Sequence, residues 1–247
     1  MVPLVLVPGI QGRCEYMQPA IEALSAHFHV RTFSLRDDAV ALDDYADQIT
    51  EILDDSGFDR AVICGVSFGG LVALRFAATE QRRTRALVLA STPAPGWKLR
   101  PRHRLYTRVP WLFGPLFLVE TPWRLRAEMM AAFPNRRDRT AFRLTALRTL
   151  RTAPISLTQI ARRAALMASL NVAPDCASVT APTLVVTGER TLDHVVAVDG
   201  SATYTRLIGR ARETVIERTG HLGTITRPEV FAERVRKFVE DLRDAAA

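Results

Sequence analysis

The sequence predicts an α/β protein with a mostly parallel β-sheet covered by helices on both faces and a helical segment inserted between two strands. Three observations support this prediction. Short apolar runs rich in β-branched residues alternate with amphipathic helical patterns, as in right-handed βαβ units. The runs are continuous, as is typical of strands buried on both faces. The alternation stops after Ser91 and resumes at Pro182.

Six apolar runs predict the strands of the sheet. The first run, Leu4 to Val7, contains no polar residue, and the third ends at Gly65, just before Ser67. The last two follow the long interruption of the pattern. The predicted strands are 4–7, 29–34, 60–65, 85–90, 182–188 and 213–217.

Five stretches predict the helices that cover the sheet. One amphipathic stretch begins with Asp43 and Asp44, which suit the positive end of a helix dipole, and stops at Gly57. Pro228 fits the first turn of the last helix. The predicted helices are 16–27, 43–56, 71–78, 199–208 and 228–242.

The interruption of the pattern predicts a helical segment inserted into the sheet domain. We assign residues 1–93 and 175–247 to a core domain and residues 94–174 to this insertion. Between Ala94 and Asp175 there are fifteen basic residues but only four acidic ones, whereas the whole chain has a net charge of +7. This charge could attract anionic substrates, acyl carriers, lipid surfaces or nucleic acid; arginines on solvated helix faces are the simpler interpretation. No nucleic-acid-binding motif accompanies the charge, so no nucleic-acid partner is expected.

Composition and length exclude several other classes of protein. With 247 residues, 48% hydrophobic and 24% charged, the chain can bury a large core and resembles ordinary globular enzymes. Three widely spaced cysteines indicate neither a disulfide framework nor a zinc site and favour a reducing, cytoplasmic setting. The apolar N-terminus ends in Pro-Gly and predicts a strand, not a signal peptide. No membrane span is predicted, and the oligomeric state stays open.

A turn around Ser67 is the first candidate for chemistry. The segment Cys-Gly-Val-Ser-Phe-Gly-Gly places Ser67 between a predicted strand and a predicted helix, with Gly65 and Gly69 on either side. Glycines allow a tight turn and close packing of the helix on the strand, so the serine hydroxyl would be exposed as a nucleophile. A glycine-rich turn with an N-capping serine is the alternative.

Two further polar residues follow predicted strands. Asp193 follows the strand that ends at Gly188, and His221 follows the strand that ends near Glu217. Reacting groups in such sheets gather beyond the carboxyl ends of the strands, so these residues could meet Ser67. Histidine, with a reference pKa of about 6.5, can accept a proton and return it near pH 7. A structural histidine is the alternative.

Four motifs together resemble the α/β-hydrolase-fold superfamily. They are Leu-Val-Leu-Val-Pro-Gly-Ile, Cys-Gly-Val-Ser-Phe-Gly-Gly, Pro-Thr-Leu-Val-Val-Thr-Gly-Glu and Arg-Thr-Gly-His-Leu-Gly. They span nearly the whole chain in the family's order of serine, aspartate and histidine. The inserted segment is similar to the helical cap that such enzymes carry.

The resemblance implies a catalytic triad of Ser67 as nucleophile, His221 as base and Asp193 as the acid that orients the histidine. The family's acid commonly falls three residues after the strand glycine, which is Thr191 here. We interpret Asp193 as the same acid displaced by a two-residue insertion. The alternatives are Glu189, Asp199 and His194.

An oxyanion hole is also implied by the resemblance. The backbone N–H of Phe68 would supply one donor and that of Ile10 the other, with Gln11 as a neighbouring candidate. Pro8-Gly9 stands where the family usually has His-Gly, which removes a side chain that often supports this loop but leaves the backbone donor. No cofactor and no metal are expected, because nothing resembles a metal cluster and the glycine-rich turn lacks the lysine of a phosphate-binding loop.

The substrate would meet the cap. Aromatic and flexible apolar side chains there could form a hydrophobic acyl pocket, and packing of the cap helices on one another explains them equally well. The candidates for substrate binding are Trp97, Trp111, Phe113, Phe117, Trp123 and Phe133. The arginines could contact an anionic or carrier-bound substrate.

These features predict a serine hydrolase that cleaves carboxylic esters or thioesters through an acyl-enzyme. The same triad could instead support perhydrolysis, as in cofactor-free haloperoxidases, or carbon–carbon bond hydrolysis. The fold also serves as a non-catalytic ligand-binding protein. Serine suits acyl transfer, whereas the aspartate of related dehalogenases suits alkyl transfer.

Overall fold

A computed structural model describes residues 1–99, 101–109, 112, 120 and 122–244. Six strands form one sheet in the order β2-β1-β3-β4-β5-β6, and every neighbouring pair is parallel. The strands are β1 (Val2–Val7), β2 (Phe28–Thr32), β3 (Ala61–Val66), β4 (Thr84–Ala90), β5 (Thr183–Gly188) and β6 (Ala211–Ile216).

The central strands alternate their side chains between two buried faces, whereas the edge strands β2 and β6 are partly exposed. In β1, Val5 and Val7 belong to one core cluster, whereas Leu4 and Leu6 belong to the other. All six residues of β3 are buried. Apolar side chains on both faces explain the continuous runs of the sequence, since a strand covered on both sides needs no polar alternation.

Helices cover both faces of the sheet. The first face is covered by α2 (Leu42–Asp55) and α3 (Phe68–Thr79), and the second by α1 (Gln18–Ser25) and the last helix, α12 (Pro228–Asp244). The remaining helices are α4 (Pro101–Arg108), α5 (Arg126–Ala132), α6 (Arg136–Thr152), α7 (Leu157–Ser169), α8 (Ala173–Ser178), α9 (Val198–Ser201), α10 (Tyr204–Leu207) and α11 (Gly223–Thr226).

The predicted fold is confirmed, and most element boundaries shift by only one to three residues. The predicted helix 16–27 begins as a 3₁₀ turn, Cys14–Met17, before it continues as α1. The predicted helix 199–208 is in fact two short helices, α9 and α10. Gly200 and the β-branched Thr203 and Thr205 are weak helix formers, which explains why this stretch is not one continuous helix.

The segment between β4 and β5 is helical where the structure describes it. Helices α4 to α8 lie here, and no strand occurs among its described residues. We call residues 94–174 the inserted segment; its treatment as a separate cap domain stays a prediction. Helix α6 carries six arginines and has no buried residue.

Two further observations concern membrane-spanning helices and the cysteines. Among the described residues, no helix is long and apolar enough to cross a membrane. The three cysteines are free, and Cys64 and Cys176 are buried.

Candidate active site

Ser67 occupies a strained turn between β3 and α3. Its φ is 54° and its ψ is −119°, a conformation that non-glycine residues rarely adopt. Such strain persists only where the surrounding structure imposes it and is found most often at functional sites.

Small residues allow this turn because three backbones meet there. A Cβ on Gly65 would lie 2.1 Å from the carbonyl oxygen of Gly69, and a Cβ on Gly69 would lie 2.4 Å from the carbonyl oxygens of Val7 and Pro8. Any larger residue would therefore separate β3, α3 and the loop after β1. The close approach brings that loop beside Ser67.

His221 faces Ser67 from the loop between β6 and α11. Its Nε2 lies 3.2 Å from Ser67 Oγ, within hydrogen-bond reach, and its side chain is only 11% exposed. A histidine and a serine in this arrangement can exchange a proton when a substrate arrives.

Asp193 lies behind His221. Its Oδ2 is 3.5 Å from His221 Nδ1, a contact longer than an ordinary hydrogen bond. Its Oδ1 accepts the N–H groups of Val195 at 2.9 Å and Val196 at 2.8 Å. Burial favours a higher pKa for this carboxyl, but the interaction with His221 and the two N–H groups outweigh burial and lower the pKa. Asp193 is therefore ionised at neutral pH.

The loops that carry Asp193 and His221 touch through their backbones. A Cβ on Gly220 would lie 2.5 Å from the carbonyl oxygen of Leu192 and 2.8 Å from Asp193 N. The residues after β5 form a turn in which the N–H groups of Leu192 and Asp193 donate to the carbonyl of Glu189. This turn brings Asp193 back beside the histidine.

The alternative acids contact other groups. Glu189 Oε1 accepts the backbone N–H of Arg218 at 2.6 Å, and Asp199 forms an exposed ion pair with Arg190. His194, the third alternative, is exposed, and its backbone carbonyl accepts a hydrogen bond from Arg124. The geometry therefore favours Asp193 as the partner of His221.

The two oxyanion candidates flank Ser67. The N–H of Phe68 opens helix α3, where the first N–H groups of a helix have no intrahelical acceptor. Ile10 is half-buried in the loop after β1. That loop approaches Ser67 closely, since a Cβ on Gly9 would lie 3.5 Å from Ser67 Cβ.

Arg163 on α7 supports the loop of Ile10, and sequence reasoning missed it. The residue is 1% exposed, so its placement among solvated arginines is wrong. Its guanidinium donates to the carbonyl oxygens of Ile10 (3.2 Å), Leu35 (3.3 Å) and Arg36 (3.2 Å), to the Tyr45 hydroxyl (3.4 Å) and to Asp37 Oδ1 (3.3 Å). Helical spacing was the one sequence signal for its burial. Arg163 shares one face of α7 with three apolar residues, Ile160, Ala164 and Met167.

Arg163 also reaches the helix that follows Ser67. Its guanidinium carbon lies 5.8 Å from the centroid of the Tyr45 ring. That ring packs edge-on against Phe68, with centroids 5.3 Å apart. One buried cation thus contacts the Ile10 loop directly and Phe68 through a single aromatic ring.

Glu128 on α5 is the second residue that sequence reasoning missed. It is 0% exposed, and its Oε1 accepts three hydrogen bonds from residues 219, 220 and 222 around His221. Burial raises the pKa of this carboxyl and outweighs the three hydrogen bonds, which lower it. No sequence signal distinguished Glu128, because helix spacing alone does not say which loop a helix meets.

The predicted substrate-binding residues do not form one surface in the described part of the chain. Trp97 is half-buried against the core and lines a cavity of only about 10 Å³. Phe133 packs on Phe142 with ring centroids 5.2 Å apart, and Trp123 is 74% exposed. Trp111, Phe113 and Phe117 lie outside the described residues, so the hydrophobic acyl pocket stays a prediction.

Within the described ranges, no group of three or more histidine, cysteine, aspartate or glutamate side chains is arranged to hold a metal ion.

The sequence is similar to one family model and to named relatives. The model of the alpha/beta hydrolase family matches residues 4–234. The chain is 24% identical over 251 residues to 3-oxoadipate enol-lactonase 1 of Acinetobacter baylyi, which covers 92% of this chain and 84% of the relative. It is 35% identical over 94 residues to a pimeloyl-acyl-carrier-protein methyl ester esterase of Nitrosomonas europaea, or 36% of this chain and 37% of the relative.

Solved structures resemble the whole chain. An enol-lactonase from Burkholderia xenovorans superposes with a TM-score of 0.78 at 19% identity and covers 97% of this chain and 91% of its own. Est816, an N-acyl homoserine lactone degrading enzyme, superposes with a TM-score of 0.76 at 22% identity and covers 96% and 93%. At these identities the likeness concerns the fold.

Replacement of Arg163 by methionine should destabilise the protein much more than the same change at Arg162. Arg163→Met leaves several buried acceptors without a donor, and each such acceptor costs about 1–3 kcal/mol. Arg162 is the exposed neighbour on the same helix, where a substitution should change stability by less than about 0.5 kcal/mol. Urea unfolding measures both; equal losses would contradict a supporting role for Arg163.

Replacement of Glu128 by glutamine should give a stability difference that depends on pH. The raised pKa of Glu128 means that the folded protein binds this proton more tightly than the unfolded chain. The resulting stabilisation is fully present below about pH 4.3, the usual glutamate pKa, and is lost as the pH rises through the raised pKa. Glutamine does not titrate, so Glu128→Gln should gain stability relative to wild type as the pH rises.

Urea unfolding of both proteins over a pH series tests this sign. All other titrating groups are shared, so their contributions cancel in the comparison. A difference that stays constant from acidic to neutral pH would contradict the raised pKa.

Proposed function

The chain belongs to the alpha/beta hydrolase family and is a hydrolase, and we propose that it cleaves carboxylic esters by attack of Ser67 on the ester carbonyl. The observation that carries the proposal is the contact of 3.2 Å between Ser67 Oγ and His221 Nε2, with the buried Asp193 on the other side of the imidazole. The strained conformation of Ser67 supports the same role.

In the proposed reaction, His221 moves the proton and Ser67 forms the covalent bond. His221 Nε2 takes the hydroxyl proton as Ser67 Oγ bonds to the carbonyl carbon. The ionised Asp193 stabilises the imidazolium and keeps Nδ1 protonated. His221 then gives the proton to the departing alkoxide, which leaves as an alcohol, and water releases the acyl group by the same steps in reverse.

During the attack a negative charge develops on the carbonyl oxygen of the substrate. Its stabilisation requires hydrogen-bond donors that are already oriented toward that oxygen. We assign this role to the N–H groups of Phe68 and Ile10, which come from the start of α3 and from the loop after β1. Donors fixed before the reaction stabilise the developing charge without reorganisation, and the loss of one typically slows an enzyme about 10²–10³-fold. Arg163 contributes to this site by holding the Ile10 carbonyl.

The relatives favour oxygen esters, including cyclic esters, as the substrate class. A curated relative is named as an enol-lactonase and another as a methyl ester esterase, and a lactone is an internal carboxylic ester. In a lactone the leaving alcohol stays attached to the acyl group. We therefore propose a small-molecule ester or lactone as the substrate, and a thioester or a carrier-bound acyl group as the variation to compare in the assay. The cytoplasmic setting stays a prediction from the cysteine content.

Replacement of Ser67 by alanine should abolish covalent labelling and lower ester turnover by at least about 10⁴-fold, because the nucleophile is lost. Ser91→Ala is the matched control, since Ser91 is buried, also has a positive φ and directly follows the neighbouring strand, β4. A fluorophosphonate probe measures labelling, and p-nitrophenyl esters and lactones measure turnover.

The same assay separates the other functions. If the wild type is neither labelled nor active on any ester, lactone or thioester, the hydrolase mechanism is refuted and a ligand-binding role remains. Turnover that appears only with hydrogen peroxide, or only with a carbon–carbon substrate, would identify perhydrolysis or carbon–carbon bond hydrolysis.

Replacement of Asp193 by asparagine should lower kcat by about 10⁴-fold, because the wrong histidine tautomer is favoured. Glu189→Gln should keep kcat within about tenfold, since the amide oxygen can still accept the N–H of Arg218. Steady-state kinetics on one ester decides the assignment. A large loss for Glu189→Gln with little effect of Asp193→Asn would transfer the role of triad acid to Glu189.

A further inference from the structure

Glu128 connects the inserted segment to the loop that carries His221. Its Oε1 accepts the Thr219 hydroxyl at 2.9 Å and the backbone N–H groups of Gly220 at 2.8 Å and Leu222 at 2.7 Å. The three donors lie on both sides of His221 in the chain. A single carboxylate oxygen of α5 therefore fixes the peptide groups that orient the imidazole.

A second contact joins the same two elements. The guanidinium of Arg218 donates to the carbonyl oxygen of Ala131 on α5 at 3.3 Å. Arg218 has a positive φ of 60°, so the loop is held in an unusual conformation where it meets the helix. The inserted segment thus contacts the loop before and after Thr219.

An ionisable side chain that is buried at this position lowers the stability of the fold. Glu128 is fully buried, and its Oε2 has no hydrogen-bond partner within the described residues. Burying an ionisable group destabilises a protein unless its hydrogen bonds repay the cost, and an apolar side chain of similar size is often at least as stable. Stability alone therefore does not explain Glu128, whereas the three donors that converge on Oε1 give it a specific geometric role.

We propose that Glu128 is a positioning residue for the reaction: its Oε1 holds the His221 loop so that Nε2 meets Ser67, and the site is complete only when the inserted segment is docked. This inference rests on the proposed function, since it assigns His221 a part in the reaction. The proposal predicts that the position of the acceptor oxygen affects kcat more than the charge of the side chain does. Glutamine keeps the acceptor, alanine removes it, and aspartate withdraws it by one methylene.

The expected kinetic order follows from the position of the acceptor. Glu128→Ala should lower kcat by about 100-fold, the loss typical of a reacting group displaced by about 1 Å, with a smaller change in KM. Glu128→Gln should recover kcat to within about tenfold of the wild type. Met130→Ala is the matched control, because Met130 is 53% exposed on the same helix, and it should leave kcat unchanged.

A structural readout independent of activity completes the experiment. Amide hydrogen exchange over residues 217–223 should be faster in Glu128→Ala than in wild type and Met130→Ala. When kcat and the exchange rates are measured under conditions well below the unfolding transition, they describe the folded protein. A lower stability alone would therefore not change kcat. If Glu128→Ala does not fold, Glu128→Asp replaces it and should show at least a tenfold loss of kcat.

Each outcome tests either the positioning role of Glu128 or the proposed hydrolase function. A folded Glu128→Ala with wild-type kcat and wild-type exchange overturns the positioning role, and so does a Glu128→Gln as slow as Glu128→Ala. If the wild type shows no Ser67-dependent turnover, the proposed function fails. Exchange over residues 217–223 then still decides whether Glu128 holds the His221 loop.

Discussion

Six parallel strands place their carboxyl ends at one edge of the sheet, and the candidate site depends on this constraint. Ser67 follows β3, Asp193 follows β5 and His221 follows β6. Residues far apart in the chain therefore meet without any long excursion of the backbone. Glycines then bring the loops together, because a Cβ on Gly220 would collide with the backbone of the Asp193 loop.

The same constraint explains how much could be predicted from the sequence. Strand and helix patterns gave the sheet, and the residues after its strands gave Ser67, Asp193 and His221. Glu128 and Arg163 could not be found in this way. They lie on helices of the inserted segment, and helical periodicity indicates which face is buried without indicating which loop it meets. In the sequence Asp193 was recognisable only by its Leu-Asp-His-Val-Val context, and the turn of residues 189–193 that brings it beside His221 needed backbone coordinates.

Glu128 and Arg163 bond to two different loops of the candidate site, one as an acceptor and the other as a donor. Glu128 accepts from the His221 loop, and Arg163 donates to the loop of Ile10. A carboxylate suits a loop that presents N–H groups, and a guanidinium suits a loop that presents carbonyl groups. Arg163 holds the loop after β1 from the inserted segment, through its hydrogen bond to the Ile10 carbonyl.

In the proposed roles of Glu128 and Arg163, the docking of the inserted segment is coupled to the geometry of the site, because both residues belong to that segment. Packing in the segment would then influence kcat as well as KM, since the two loops carry His221 and Ile10. The arginines of α6 differ from Arg163, since none of that helix is buried, and the long-range effect of their charge on a substrate is screened by salt. The proposal therefore assigns the positioning of the reacting groups to two buried side chains, whereas charge on the exposed arginines would influence how an anionic substrate arrives.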